Sequence, residues 1–400
     1  MNDLATPTPV TRSSSVDIYS RIDQYNKVRQ HSISVCTPLY TEDYVVQPSA
    51  DVSPPKWHLA HTTWFLEEMI LAKYSPDYQR FHPRYAFLFN SYYNSLGDRV
   101  LRPQRGNMSR PTVDEILAYR QHVDEHMLTL IPKASDEVLD LIEIALHHEQ
   151  QHQELLLTDI KYILGHNPLF PPYKKNFKEV FSLEKDHYFR KIEDGMYTIG
   201  HAGDGFAFDN EGSQHQVYLN AFEIRQTLVT NYEYLQFIDA GGYQDPTYWH
   251  SDAWTWLQET GINSPMYWHF IDNAWNRYSL SGLQELPLDE PVTHISYYEA
   301  AAYADWCKMR LPTEFEWEAA CDHFQWGQRW EHTASAYLPY PGYSKPEGAL
   351  GEYNGKFMVN QMVLRGASIA TPPGHARKTY RNFFQPPMQW QFTGIRLCKK

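Results

Sequence analysis

Apolar residues along the first part of the chain recur in steps of three and four, the spacing that lines one face of a helix. Over residues 16–34 the helical spacing is mixed and predicts a first helix. Ser53, followed by Pro54 and Pro55, reads as an N-cap with prolines in the first turn, and Trp57, His61, Trp64, Phe65 and Glu68 carry a second helix onward. Thr112 and Glu115 form a capping box behind Pro111, opening a third helix that runs to about Leu130. A fourth begins at Ser135, with Asp136 and Glu137 at the positive end of its dipole, and stops at Gly165 ahead of Pro168. Four such helices predict an antiparallel bundle, an architecture that builds metal sites from facing helices. Residues 80–110 show no period but are rich in aromatics, and a loop of that length predicts a lid or wall of a site.

Further on the pattern changes to short apolar runs broken by Gly, Trp, Tyr and turn residues, which predicts short strands and long ordered loops. Helices are expected at 231–240, 297–308 and 314–321. The expected organisation is a flexible Thr/Pro/Ser-rich tail at 1–15, a four-helix bundle at 16–166, a linker at 167–191 and a second domain at 192–400.

Composition narrows the function classes. A chain of 400 residues with 42% hydrophobic residues can bury substantial cores. A formal charge of -13 argues against a nucleic-acid partner or an anionic membrane surface, both of which call for a basic field. No apolar run approaches the ~18 residues of a membrane span. Cys36, Cys307, Cys321 and Cys398 lack paired spacing and the amino terminus lacks a signal-peptide pattern, so a reducing cytoplasm is expected.

The candidate chemistry lies on the fourth helix, where Leu141, Ala145, His148, His152 and Leu155 share one stripe. Two imidazoles one turn apart on a buried face make half of a metal site, because burying them unpartnered is costly. Hydrogen-bonded core histidines are the alternative. His148-Glu149-Gln150-Gln151-His152 also satisfies the HExxH pattern of zinc hydrolases, in which the glutamate is the general base. No third ligand follows at the expected spacing, whereas His61 on the second helix can meet the pair across the bundle. Three histidines suit Zn(II) or Fe(II), and spacing does not choose between them. His58, one turn before His61, reads as an outer or packing histidine.

Residues 53–65, SPPKWHLAHTTWF, together with His148, His152 and Glu154, resemble the DinB-like domain of EgtB-type sulfoxide synthases. Residues 195–200, 229–234, 291–297, 310–318 and 394–397 resemble the formylglycine-generating-enzyme fold, a C-type-lectin-like domain. The resemblance spans nearly the whole chain after Val16, and the family also includes OvoA, whose chains carry a further methyltransferase domain. The fold class implied is an N-terminal DinB-like four-helix bundle followed by a C-type-lectin-like, α+β domain.

The function implied is an Fe(II)- and O2-dependent joining of a cysteine sulfur to imidazole C2 of hercynine, with oxidation to the sulfoxide, in ergothioneine biosynthesis. His61, His148 and His152 match the iron ligands, and Gln151 and Asn382 match the hercynine contacts. Phe383 and Phe384 are candidates to face the trimethylammonium group. Family members that use γ-glutamylcysteine carry Asp and Arg where this chain has Phe384 and Met388, so the pattern resembles the branch that takes free L-cysteine. Tyr92 and Tyr93 are candidate proton donors, and Arg102 or Arg105 a candidate clamp for the cysteine carboxylate. His332 and Ala367 stand where the family usually has Trp and Gly. A selenium donor, OvoA-like chemistry, a zinc hydrolase and a non-catalytic binding module are the rival readings. The cysteines match no formylglycine-generating pair.

Overall fold

In the computed structural model α1 (Ile18–Cys36), α2 (Pro55–Leu66), α5 (Val113–Leu130) and α6 (Asp136–Gly165) form the bundle, with α2 packed against both α5 and α6 and α1 against α6. The structure describes residues 18–93, 95, 97–180, 188–345 and 354–400, so the expected tail at 1–15 lies outside the described residues. Local signals place two of the helix starts. Thr112 and Glu115 close the capping box of α5, and the Ser135 hydroxyl accepts from Val138 N at the start of α6.

Ser53 departs from its expected role. Pro54 occupies the cap position of α2, while the Ser53 hydroxyl accepts from Arg105 Nη1 at 2.9 Å and its N–H donates to Asp159 Oδ2 at 2.8 Å. A tertiary guanidinium outcompetes the local cap. Every residue of α2 is buried, and the helix continues through a π-helical turn, Glu67–Leu71, into α3 (Ala72–Tyr74). Within that turn Glu67 accepts from Tyr119 Oη at 2.6 Å and Phe81 N at 3.1 Å, which fastens the 80–110 segment to the bundle. That segment is not wholly irregular, since it holds α4 (Tyr85–Phe89) and a 3-10 turn, Arg102–Asn107.

α6 ends at Gly165 as the sequence predicts, with Gly165 its last helical residue and His166 capping with φ -95°. The missing side chain of Gly165 serves close approach: a Cβ there would meet Tyr278 Cδ1 at 2.7 Å and Tyr267 Cε1 at 3.0 Å.

Strand pairing of the second half starts with β1 (Phe189–Ile192), three residues ahead of the expected boundary, followed by β2 (Gly195–Ile199), β3 (His215–Leu219) and β4 (Phe222–Arg225). The expected helices appear as α7 (Asn231–Asp239), α9 (Tyr297–Trp306) and α10 (Glu314–Ala320). A further helix, α8 (Ser251–Thr260), was not expected. Its buried face is only Ala253 and Leu257, too narrow a stripe to stand out, although Gly261 with φ 68° marks its end. A meander of β5 (Trp268–Ile271), β6 (Ala274–Ser279) and β7 (Gly282–Glu285) packs near the end of α6.

The last strands are β8 (Met309–Arg310), β9 (Trp330–Ala336), β10 (Met362–Gly366), β11 (Asn382–Phe384), β12 (Thr393–Gly394) and β13 (Cys398–Lys399). They complete the sheets β1-β4-β13-β8 and β11-β10-β9-β12, beside the hairpin β2-β3. One apolar core crosses the two halves, joining Trp64, Leu156 and Ile160 of the bundle to Tyr278, Trp330 and Phe392.

Candidate metal centre

α6 is buried on all sides from Ala145 to Gln150, wider than the single stripe expected, because it is both a helix of the bundle and the wall against the second half. Successive residues therefore serve different neighbours. His147 points across to the second half, with Nδ1 3.1 Å from His375 Nδ1 and its ring stacked on Phe206. His148 faces α2, its ring 4.3 Å from Phe65. Glu149 faces α1 and α5.

His61, His148 and His152 come together, with one nitrogen from each ring within 4.8 Å of the others. Trp57 and Trp64 lie nearly parallel to the His61 ring, at 4.6 and 5.3 Å between centroids, and fix its plane. His61 Nδ1 donates to Phe89 O at 2.7 Å, which leaves the lone pair on Nε2, a buried atom with no hydrogen-bond partner among the described residues. A second chain of hydrogen bonds sets His152. Asp159 Oδ2 can only accept, so His58 Nε2 donates to it at 2.9 Å, and His58 Nδ1 then accepts from His152 Nδ1 at 2.9 Å. His152 Nε2 is left as its ligating atom, the arrangement by which outer carboxylates orient metal-bound imidazoles.

Burial pushes the His148 imidazole down to about 3, and burial with mutual repulsion among the rings holds His61 and His152 well below their ordinary range. All three are neutral at pH 7, the form that binds metal. Three neutral nitrogens converging at one point, with His61 and His148 buried and His152 half-buried, fit a divalent transition ion and leave coordination positions for small molecules.

Glu149 does not join this centre. Its carboxylate accepts from Arg29 Nη1 at 2.7 Å, Arg120 Nη2 at 2.9 Å and Ser32 Oγ at 2.5 Å. Burial alone would raise its pKa, but the two guanidinium groups hold it at about 2. A carboxylate so acidic and so occupied is no general base, which removes the residue a zinc hydrolase of HExxH type requires. Glu154 is spent elsewhere too, accepting from Trp330, from Ser368 Oγ at 3.0 Å and from Thr371 Oγ1 at 2.7 Å across the domain seam.

Of the two candidate tyrosines, Tyr93 is fully buried with its ring 5.6 Å from Trp64 and 5.9 Å from Phe65, both of which flank the histidines. Tyr92 is half-buried, stacks on Tyr93 at 4.7 Å and carries Lys356 over its ring at 4.6 Å. Arg105 is buried, its guanidinium carbon 3.4 Å from the centre of Trp57, and it donates to Ser53 and to Ser91 Oγ at 3.1 Å. Among the described residues no carboxylate pairs with it, and burial followed by the nearby Arg102 pushes its pKa well down. Arg102 itself is exposed and donates to the Asp51 carbonyl.

Gln151 Nε2 donates to Tyr380 Oη at 2.6 Å, two residues ahead of Asn382 on β11. Asn382 Oδ1 accepts from the next backbone N–H, Phe383 stacks on Tyr337 at 4.1 Å, and Phe384 packs half-buried against the shared core. Sequence reasoning missed Asp159, although it lies two turns beyond His152 on the same face. It also missed Arg29 and Arg120, which nothing local connects to Glu149.

A model of the DinB superfamily matches residues 24–156, and one of the sulfatase-modifying factor enzyme 1-like domain matches residues 189–336. With the histidine cluster, these define a class of protein in which a DinB-type bundle carries a metal-type centre and a sulfatase-modifying-factor-like domain follows it. The hercynine oxygenase of Mycolicibacterium smegmatis is 28% identical, over 87% of this chain and 91% of its own. That of Mycolicibacterium thermoresistibile is 28% identical, over 87% of each chain. The second half alone is similar to the formylglycine-generating enzyme of Streptomyces coelicolor, 32% identical over 32% of this chain and 45% of that one. Hercynine oxygenases, of EgtB type, are thus homologues of this chain over most of its length, and that likeness supports an enzyme of the oxygenase class. Among the described residues no helix is long and apolar enough to cross a membrane.

Proposed function

We propose that this protein joins the sulfur of L-cysteine to imidazole C2 of hercynine and oxidises it to the sulfoxide, using Fe(II) held by His61, His148 and His152. The carrying observation is the convergence of three neutral imidazoles, His61 and His148 buried and His152 half-buried, two of them oriented through Nδ1 to present Nε2. Bound there, the iron supplies redox chemistry and open positions for the thiolate and O2. Stoichiometry balances with one O2, one atom entering the sulfoxide and the other leaving as water.

The chain's own groups bind and orient the reactants. Arg105, cationic, buried and unmatched by a carboxylate among the described residues, is the clamp for the cysteine carboxylate, and exposed Arg102 is not. Gln151 and Asn382 hold the hercynine imidazole from α6 and β11. Phe384 and Met388 offer no partner to a glutamyl group, which supports free cysteine as donor. Tyr93, buried beside Trp64 and Phe65, is the proton donor as O2 is reduced. Four free thiols fit a reducing cytoplasm.

The test is an aerobic reaction of the Fe(II)-loaded protein with hercynine and L-cysteine, read by mass spectrometry. Hercynylcysteine S-oxide is the expected product. Hercynine left unconsumed, with iron bound, would sink the assignment.

A further inference from the structure

Away from the histidines, at the far end of α6, lies a second buried cluster that the oxygenase reading does not use. Lys161, fully buried, donates to Glu179 Oε1 and Oε2 at 2.8 and 3.0 Å, and its ammonium lies over the rings of Phe392 at 4.7 Å and Tyr267 at 5.3 Å. The His294 ring stands 4.7 Å from each of those same two rings. Arg329, 0% exposed, reaches in from the residue before β9, and Gly394 allows it, since a Cβ there would meet Arg329 Cβ at 2.9 Å. Arg329 Nη1 donates to the Glu179 carbonyl at 2.7 Å. Arg277 on β6 pairs with Glu290 through Nη2. Lys161, Arg277 and Arg329 all lie within electrostatic reach of one another.

Two features of this cluster are unbalanced. Among the described residues only two carboxylates, Glu179 and Glu290, form ion pairs with these three cations, which leaves Arg329 without an ion-pair partner of its own. Donors are in excess: Arg329 Nε and Nη2, Arg277 Nη1 and Tyr267 Oη are buried and have no partner among the described residues. Leaving a buried charge uncompensated, with its N–H groups unbonded, is among the largest penalties a fold can carry. Carboxylates would have solved the problem if neutrality alone were selected. Tyr267, beside the Lys161 ammonium, and His294, beside Phe392, both hold left-handed backbone, with φ 71° and 60°.

We infer that the cluster of Lys161, Tyr267, Arg277 and Arg329 is a binding site for one small monovalent inorganic anion of the halide class. The anion neutralises the unpaired Arg329 charge and accepts from the unpartnered guanidinium and phenol donors. Because Lys161 belongs to α6 and Arg329 to the second half, it also ties the metal-bearing helix to the opposite domain.

Thermal unfolding of the full chain in sodium chloride and in sodium gluconate at matched ionic strength separates binding from screening. The expected result is a melting temperature that climbs with the logarithm of chloride, about 1–2 °C per decade, while gluconate does nothing comparable. Arg329→Gln, which removes the unpaired charge, is expected to abolish the difference between salts. Should that variant fail to fold, Tyr267→Phe keeps the charge, removes one donor and should weaken the chloride response. Crystals grown without halide and soaked in bromide provide a direct reading, with an anomalous peak in contact with Arg329. Equal melting curves in the two salts, or a bromide map without that peak, overturns the inference and leaves water as the only occupant.

Discussion

Glu149 stands between two metal-type histidines in sequence, yet its carboxylate is tied to Arg29, Arg120 and Ser32 on another side of α6. Glu149→Gln should therefore reduce stability by about 3–5 kcal/mol, the range for a buried ion pair that loses one partner, while the folded fraction still binds metal. Chemical unfolding together with Co(II) titration checks both halves of that expectation. On the ligand side, Asp159→Asn should weaken metal affinity about 10–100-fold by releasing His58 and so His152. Unchanged affinity would mean that the relay does not orient the ligand. Tyr93→Phe should shift product from sulfoxide to cysteine sulfinate while substrate affinity changes by no more than about 0.5–1.5 kcal/mol. An unchanged product ratio would make Tyr93 a wall.

His332 gives the pH dependence. Burial lowers its pKa from 6.5 to about 4, although its Nε2 bonds the Ile295 carbonyl at 3.0 Å. Between those values the unfolded chain holds a proton that the native chain lacks, so this contribution is complete above pH 6.5 and is lost as pH falls towards 4. From pH 7 to 5 the loss is about 2 kcal/mol, and His332→Phe should remove that part of the slope. The His148 and His152 pair was legible in the sequence because its spacing is local, and His61 joined it through the helix pattern around it. The guanidinium partners of Glu149 were not, since they approach from helices remote in sequence.

Among the elements, those whose start is written in adjacent residues were the easiest to read. The capping box at Thr112 and the cap at Ser135 form within four residues, and tertiary contacts do not disturb them. Ser53 reads the same way locally, but Arg105 takes its hydroxyl from 52 residues away, and Gly165 reads only as a helix end while also serving packing. Gly165→Ala makes the case testable. Helix propensity alone favours alanine by about 1 kcal/mol, whereas the clash with the Tyr278 ring should make the variant less stable by about 1–3 kcal/mol. A gain in stability would show that β6 can yield.

At the scale of the molecule, sequence texture separates two domains, while the apolar core runs through both and α6 belongs to each. Heat should therefore unfold the chain in one transition, with helix signal and calorimetry coincident, and two resolved transitions would contradict a shared core. The tryptophan pair that clamps His61 adds an optical consequence. Trp57 and Trp64 lie against the His61 ring of the proposed metal centre, so a paramagnetic ion entering it should quench their fluorescence, although 12 tryptophans share the emission. The enzyme thus carries its own dye for metal loading, one that can be read in the unmodified protein before any substrate is added.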